Sequence, residues 1–292
     1  MTRPRLVGLL AGLALVLAVG PASATRVTLP LREDSVRFAV IGDTGTGAEP
    51  QYRVARLMAE YRAEFPFEFV LMLGDNIYGR ETPDDMRRKF ELPYAPLLGA
   101  GVKFFASLGN HDEVSQRFYG PFNMNGDRFY TFRSTRQSVR FFALDSNYMS
   151  ADQLRWLDAE LARSDEKWKI CFFHHPLYTS GAKNGPSVAL REELEPIFVR
   201  HRVSVVFSGH EHVYERVRPQ KGIYYFVAGG GGKLSRGILR PEQRITVRGF
   251  DRGHHFMLVE IVGDELFFQA VSETGETVDA GTLPRPHVEP AE

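Results

Sequence analysis

The chain has 292 residues, 43% of them hydrophobic and 25% charged, with 36 basic residues against 36 acidic ones. These proportions suit a globular protein with a sizeable core and exclude a disordered or low-complexity chain. The even charge leaves no electrostatic footprint for nucleic acid.

Arg3 and Arg5 precede an apolar run from Leu6 to Val19, followed by Pro21 and small residues at Ala22 and Ala24. A charged start, a run too short to span a membrane comfortably and an A-x-A pattern predict a signal peptide over 1–24, cleaved after Ala24. An uncleaved anchor is the competing reading. Cleavage gives a mature chain that begins near Thr25 in the periplasm or outside the cell, with no stable membrane anchor. Loss of Arg3 and Arg5 leaves 34 basic residues against 36 acidic, a net charge of about −2. The single Cys171 sits in "KICFF" and reads as a buried structural thiol.

Six apolar runs follow, beginning at Val36, Phe67, Val102, Ser138, Trp168 and Val203, and all read as buried strands. Helical patterns lie between several of them. Val54, Leu57, Met58 and Tyr61 keep i, i+3, i+4, i+7 spacing. Ser150 and Gln153 predict a capping box ahead of Leu154, Leu157 and Leu161, and Leu190 to Phe198 predict a helix with a bend at Pro196. Strands alternating with helices predict an α/β domain.

After Glu215 the texture turns antiparallel. "GIYYFVAG" and "HFMLVEIVGDELFFQAVS" read as strands without helices between them, the second with a hairpin turn at Gly263-Asp264. The Gly- and Arg-rich stretch from Gly229 to His255 reads as a long loop beside a site or as a plain connector. One domain over 25–280 is expected, with 281–292 as a mobile tail.

Five of the six strand runs end in Asp, Asn or His: "GDTG" at Asp43, "GDNIY" at Asp75, "GNHD" at Asn110 and His111, "FFHHP" at His174 and His175, and "GHEH" at His210 and His212. Any one of these is an ordinary turn. Together, at one end of a sheet, they would repel or stay unsatisfied unless a cation or a hydrogen-bond network absorbed them. Mixed carboxylate and imidazole donors suit iron, manganese or zinc and exclude an all-thiolate zinc site.

In this order, "GDTG", "GDNIY", "GNHD", "FFHHP" and "GHEHVYER" resemble the motifs of the calcineurin-like metallophosphoesterases, and among them the purple acid phosphatase branch, which includes the tartrate-resistant acid phosphatases. The resemblance spans Val36 to Arg216. It implies a sandwich of two mixed β-sheets flanked by helices, with the active site at the carboxy-terminal strand ends. It also implies two metal ions: Asp43, Tyr78 and His212 on the first, Asp75 bridging, and Asn110, His174 and His210 on the second. Many metallophosphoesterases carry a histidine two residues after the first aspartate, where this chain has Gly45. In the purple acid phosphatases a tyrosine three residues after the bridging aspartate takes its place, and Tyr78 occupies that position. A phenol of reference pKa about 10 is held as phenolate only by a strongly Lewis-acidic centre. The resemblance therefore implies Fe(III) in the first site and Fe(II), Zn(II) or Mn(II) in the second.

Two such ions, about 3.5–4 Å apart, clamp a phosphate and make hydroxide available for in-line attack. The resemblance gives His111 the role of protonating the leaving oxygen, with Asp112 orienting its imidazole. His175 is a candidate substrate contact. Mammalian members have another histidine after the metal-binding H-x-P segment. Here "LYTSGAKNG" has none, and Lys183 and Asn184 fall in that space. Tyr214 and Arg216 are expected to brace the loop of His210 and His212. The implied activity is an exported acid phosphatase acting on small-molecule or protein-borne phosphate monoesters. A phosphodiesterase or nucleotide hydrolase shares the same motifs, and a metal-dependent binding protein is the reading from another class.

Overall fold

A computed structural model of the chain describes residues 26–286. The expected signal segment and its cleavage point lie outside the described residues.

The chain runs through β1 (Val36–Ile41), α1 (Glu49–Glu64), β2 (Phe69–Met72), short α2 (Pro83–Met86), α3 (Ala95–Gly99), β3 (Lys103–Ala106), β4 (Tyr130–Arg133) and β5 (Val139–Ala143). It continues through α4 (Ala151–Ala162), β6 (Trp168–Phe173), α5 (Val188–Arg200), β7 (Val205–Ser208), β8 (Tyr214–Gln220), β9 (Ile223–Ala228), β10 (Thr246–Phe250), β11 (His255–Val262), β12 (Glu265–Ser272) and β13 (Thr277–Pro284). One sheet has the order β13-β12-β11-β1-β2-β3 and the other β10-β8-β9-β7-β6-β5-β4. Both are mixed. Strands β1, β2 and β3 are parallel, as are β5, β6, β7 and β9, and the remaining pairings are antiparallel.

All six apolar runs become strands; five are buried on both faces, and β3, at the sheet edge, buries Phe104 and Ala106 while Lys103 on its other face is exposed. Aromatic rings make the seam between the sheets. Phe38 of β1 meets Phe141 of β5 edge-on at 5.3 Å, Phe105 of β3 stacks on Phe132 of β4 at 3.8 Å, and Phe226 of β9 meets Phe268 of β12 at 5.1 Å. Outside, α1 buries Val54, Met58 and Tyr61, and the Tyr61 ring lies 5.7 Å from Phe256 of β11. On the other flank Leu157, Leu161, Leu190, Leu194 and Phe198 of α4 and α5 form a second core with Phe142, Cys171 and Val206. Cys171 is fully buried in it, and burial pushes its thiol well up, out of reach of ionisation.

Several local expectations are modified. The hairpin forms at Gly263-Asp264, with Val262 paired to Glu265. The box at Ser150 is half made: its hydroxyl accepts from the Gln153 backbone, while the Gln153 side chain turns to the Asp145 backbone, N–H to its oxygen at 2.8 Å. Helix α5 continues through Pro196. Four strands are additional, namely β4, β8, β10 and β13. Of these, β10 lies inside the stretch read as a loop or connector, and β13 carries the sheet to Pro284, three residues past the expected start of the tail at Gly281.

Tyr214 and Arg216, at the start of β8, hold on to β13. Asp279 accepts from the Tyr214 hydroxyl at 2.7 Å and from the Arg216 guanidinium at 2.8 and 3.1 Å. Tyr214 is fully buried and would lose its partner without gaining water, while the partly exposed Arg216 guanidinium would lose a paired carboxylate. Asp279→Ala is expected to cost about 2–3 kcal/mol in urea unfolding with an unchanged denaturant slope. A loss below about 0.5 kcal/mol would mean that the three groups do not lock β13 to the second sheet.

Candidate metal centre

The parallel strands of both sheets deliver their carboxy-terminal residues to one place. Asp43 follows β1, Asp75 and Tyr78 follow β2, Asn110 follows β3, His174 follows β6, and His210 and His212 follow β7. Backbone bonds stitch these ends together. Asp43 N donates to Gly74 O at 3.0 Å, Gly209 N to His174 O at 2.9 Å, and Gly231 N to Gly42 O at 3.0 Å. Asp43, Asp75 and His210 all adopt left-handed backbone, with φ of 55°, 51° and 68°. Such a conformation costs a non-glycine residue about 1–2 kcal/mol, and three at one site mark a functional constraint.

The donors fall into two touching groups. In the first, Tyr78 Oη lies 3.2 Å from Asp43 Oδ1 and 3.4 Å from His212 Nε2, which is itself 3.4 Å from Asp43 Oδ1. In the second, His174 Nε2 lies 3.0 Å from Asn110 Oδ1, 3.1 Å from His210 Nδ1 and 3.4 Å from Asp75 Oδ1. His174 Nδ1 donates to the Leu73 carbonyl at 2.9 Å, which fixes the ring and aims its other nitrogen's lone pair inward. Asp75 sits between the groups, as a bridge must. Candidate ligand atoms of Asp43, Asp75 and His174 all lie within 4.8 Å of one another.

The electrostatics call for a cation. Asp43 and Asp75 are essentially fully buried, and burial, then the charge of Asp75, holds the Asp43 carboxyl well above its ordinary range. Burial drives His174 well down, His210 to about 3 and His212 to about 4, so all three imidazoles are neutral with lone pairs free. Burial, reinforced by Asp43 and Asp75, pushes the Tyr78 phenol far up. Two buried carboxylates, three neutral imidazoles, a phenol and an amide oxygen form a donor set suited to a pair of hard or borderline metal ions.

Gly45 leaves no room for a ligand side chain of its own. A Cβ on residue 45 would lie 1.9 Å from Asn76 O and 2.4 Å from Ile77 Cα. The loop that brings in Tyr78 fills the space a side chain at 45 would need, and Tyr78 N donates to Gly45 O at 2.8 Å to hold it there. A histidine at 45 and this loop exclude each other.

The residues around the ligands differ more from expectation. His111 is exposed at the mouth, its backbone N–H on Asp75 Oδ1 at 3.0 Å and its ring 5.0 Å from that of Tyr78. Asp112 does not orient the His111 imidazole. Its carboxylate accepts from the backbones of Gly109, Asn76 and Ile77 and from the side chains of Asn76 and Gln116, at 2.8–3.1 Å. Five donors from both sides make it the clamp between the "GDN" and "GNHD" loops, and burial raises its carboxyl to about 7. His175 is half-buried, with Nδ1 2.9 Å from Ser146 Oγ and its ring 4.4 Å from that of His210. Lys183 Nζ reaches His212 Nδ1 at 3.1 Å, but Asn184 turns away: its backbone N–H bonds Glu211, and its side chain donates to His210 O at 3.3 Å. Tyr214 and Arg216, expected to brace the loop of His210 and His212, bond Asp279 of β13. One contact went unforeseen: Lys233 Nζ lies 4.6 Å over the Tyr78 ring, placed by the glycine run that wraps Asp43.

Residues 36–214 match the family described as calcineurin-like phosphoesterase. The chain belongs to that family. Its relatives point to the purple acid phosphatase branch. The chain is 26% identical to tartrate-resistant acid phosphatase type 5 of Oryctolagus cuniculus, over 89% of this chain and 95% of that one, and 28% identical to purple acid phosphatase 4 of Arabidopsis thaliana, over 83% and 82%. The fold resembles a purple acid phosphatase from yellow lupin (Lupinus luteus) seeds, with a TM-score of 0.70 at 18% identity over 87% of this chain and 54% of that one. It also resembles the Plasmodium protein GAP50, described as the anchor in the inner membrane complex, with a TM-score of 0.73 at 19% identity over 86% and 89%. Fold alone thus does not separate catalyst from anchor.

The steric argument at Gly45 is testable. Gly45→Ala is expected to lose about 1–3 kcal/mol in thermal unfolding and to bind less metal after loading, because the Asn76 carbonyl must move. Full metal content and an unchanged melting temperature would show that the loop yields freely.

Proposed function

We propose that the chain is an exported phosphatase with a dinuclear metal centre that hydrolyses phosphate monoesters in the manner of an acid phosphatase. The observation that carries this reading is the convergence of Asp43, Asp75, Tyr78, Asn110, His174, His210 and His212 at the joined ends of two sheets, with every position of the family's ligand set filled. Asp43, Tyr78 and His212 would hold Fe(III), Asn110, His174 and His210 would hold Fe(II), Zn(II) or Mn(II), and Asp75 would touch both. Two ions there would neutralise the phosphate and make hydroxide available near neutral pH.

The chain's own groups account for the rest. His111 stands at the open mouth, anchored to Asp75 through its backbone, so its imidazole is free to turn toward a leaving oxygen and give it a proton. Lys183 and Lys233 place positive charge beside the first group, where a phosphate dianion is drawn in. Export rests on Arg3 and Arg5, the apolar run to Val19 and the small residues at Ala22 and Ala24. Among the described residues no helix is long and apolar enough to cross a membrane.

In metal-loaded protein, His111→Ala is expected to keep its metal and to lose about a hundredfold in kcat on an alkyl phosphate, but less than about tenfold on 4-nitrophenyl phosphate, whose leaving group needs no proton. Equal losses on both would remove His111 as the acid. Bis(4-nitrophenyl) phosphate in the same panel tests the ester class, and faster turnover of this diester than of the monoester would replace the phosphomonoesterase reading with a phosphodiesterase.

A further inference from the structure

His212 meets a donor where a metal ligand needs an acceptor. Its Nε2 faces the first group, 3.4 Å from Asp43 Oδ1 and 3.4 Å from Tyr78 Oη, so Nε2 is the nitrogen that an ion there would take. A neutral imidazole has one lone pair and one N–H, and a lone pair at Nε2 puts the proton on Nδ1. That N–H then needs an acceptor, as the second nitrogen of a metal-bound imidazole almost always has. His174 shows the arrangement complete, with Nδ1 on the Leu73 carbonyl at 2.9 Å. The neighbour of His212 Nδ1 is instead Lys183 Nζ, at 3.1 Å. An ammonium has three donors and no acceptor, so it bonds only the opposite tautomer, with the lone pair on Nδ1 and an Nε2–H toward Asp43.

An acceptor stands beside the lysine. Ser235 Oγ lies 3.4 Å from His212 Nδ1, and among the described residues no other oxygen contacts that nitrogen. The separation is longer than a full hydrogen bond, as expected of a nitrogen whose bond is taken by Lys183. The serine is seated on the residue whose ring it touches: Ser235 N donates to His212 O at 3.1 Å, and the glycine run before it is bonded to Asp43, Gly232 N to Asp43 O at 3.1 Å. Lys183 is held otherwise. Its backbone is fixed on either side, Ala182 N to Ile238 O at 3.0 Å and Gly185 N to Glu211 Oε1 at 2.7 Å, while the residue itself is exposed. The ammonium can therefore swing into water on its flexible stem without any movement of the loop.

We propose that Lys183 and Ser235 are alternative partners of His212 Nδ1, the lysine in the metal-free site and the serine in the loaded one, and that Ser235 is the positioning residue that sets His212 for its ion. The inference rests on the reading of His212 as a ligand of the first site and adds the side chains that prepare it. The imidazole is neutral in both states. On loading, the Nε2 proton passes to solvent, Nδ1 gains a proton from solvent, and the ammonium, now facing an N–H, turns away with its own protons unchanged. Lys183 thus competes with the metal for His212, and Ser235 favours the metal.

The test titrates zinc(II), chosen because it is diamagnetic, into the metal-free full chain, and reads both the binding isotherm and, by heteronuclear NMR, which nitrogen of His212 carries the proton. The wild type is expected to pass from Nε2–H without zinc to Nδ1–H with it. Ser235→Ala is expected to weaken zinc at the first site by about tenfold to a hundredfold, and Ser235→Thr, which keeps the hydroxyl, to restore it. Lys183→Gln puts a carbonyl oxygen where the ammonium stood, so it is expected to tighten zinc binding far more in the Ser235→Ala background, where it supplies the missing acceptor, than in the wild type. Equal gains in the two backgrounds mean that the lysine acts through its charge alone and overturn the exchange of partners. So does an Nδ1–H present before zinc is added, or a Ser235→Ala protein that binds zinc as tightly as the wild type. His212→Ala tests the underlying reading separately: if it keeps both zinc ions at full affinity, His212 is not a ligand, whereas if it loses one and Ser235→Ala does not, only the role of Ser235 falls.

Discussion

Asp43 and Asp75 set two carboxylates, each almost wholly cut off from water, where the ends of β1 and β2 meet the ends of β6 and β7. Buried like charges at this separation oppose folding unless something positive lies between them. Among the described residues no lysine or arginine pairs with either carboxylate: Lys183 bonds His212, and Lys233 lies over the Tyr78 ring. What surrounds the carboxylates is lone pairs, on three neutral imidazoles, an amide and a phenol. The left-handed backbone at Asp43, Asp75 and His210 brings these donors together, and a bound cation would offset both the strain and the repulsion.

The choice of tyrosine follows from the same crowding. The backbone after β2 crosses so close to Gly45 that a side chain there would collide with Asn76. That crossing is what carries Tyr78 to Asp43 and His212. The clamp on the crossing is Asp112, whose carboxylate binds the backbones of Asn76 and Ile77 and, on the far side, Gly109. A residue expected to serve the proton donor instead holds the metal-binding loops in register.

Much of the core and of the ligand set was legible in the sequence because both depend on local signals. Runs such as "VRFAVI" and "KICFF" are apolar on both faces, and a Gly-Asp or Gly-His pair at the end of each announces a change from strand to site. Strands β8 and β10 were not legible, because their sequences are polar: "YERVRPQ" keeps its place by pairing with β9 and through Asp279, and "TVRGF" by pairing with β8. Nor were the roles of Asp112 and Asn184, since which partner a side chain takes across a loop is a tertiary fact. The residues that the family resemblance names as ligands are brought together at one place by the structure. The position of Lys233 needed the structure, because only the path of four glycines around Asp43 brings it onto the Tyr78 ring.

The central claim is that Tyr78 binds a strongly Lewis-acidic ion held by Asp43, Asp75 and His212. The most direct measurement is the visible absorption spectrum of freshly purified protein, with metal content determined on the same sample, for wild type and Tyr78→Phe. The account predicts an iron-containing, coloured wild type whose tyrosinate-to-Fe(III) charge-transfer band disappears in Tyr78→Phe. A colourless, iron-free wild type that nevertheless hydrolyses phosphate esters would contradict it.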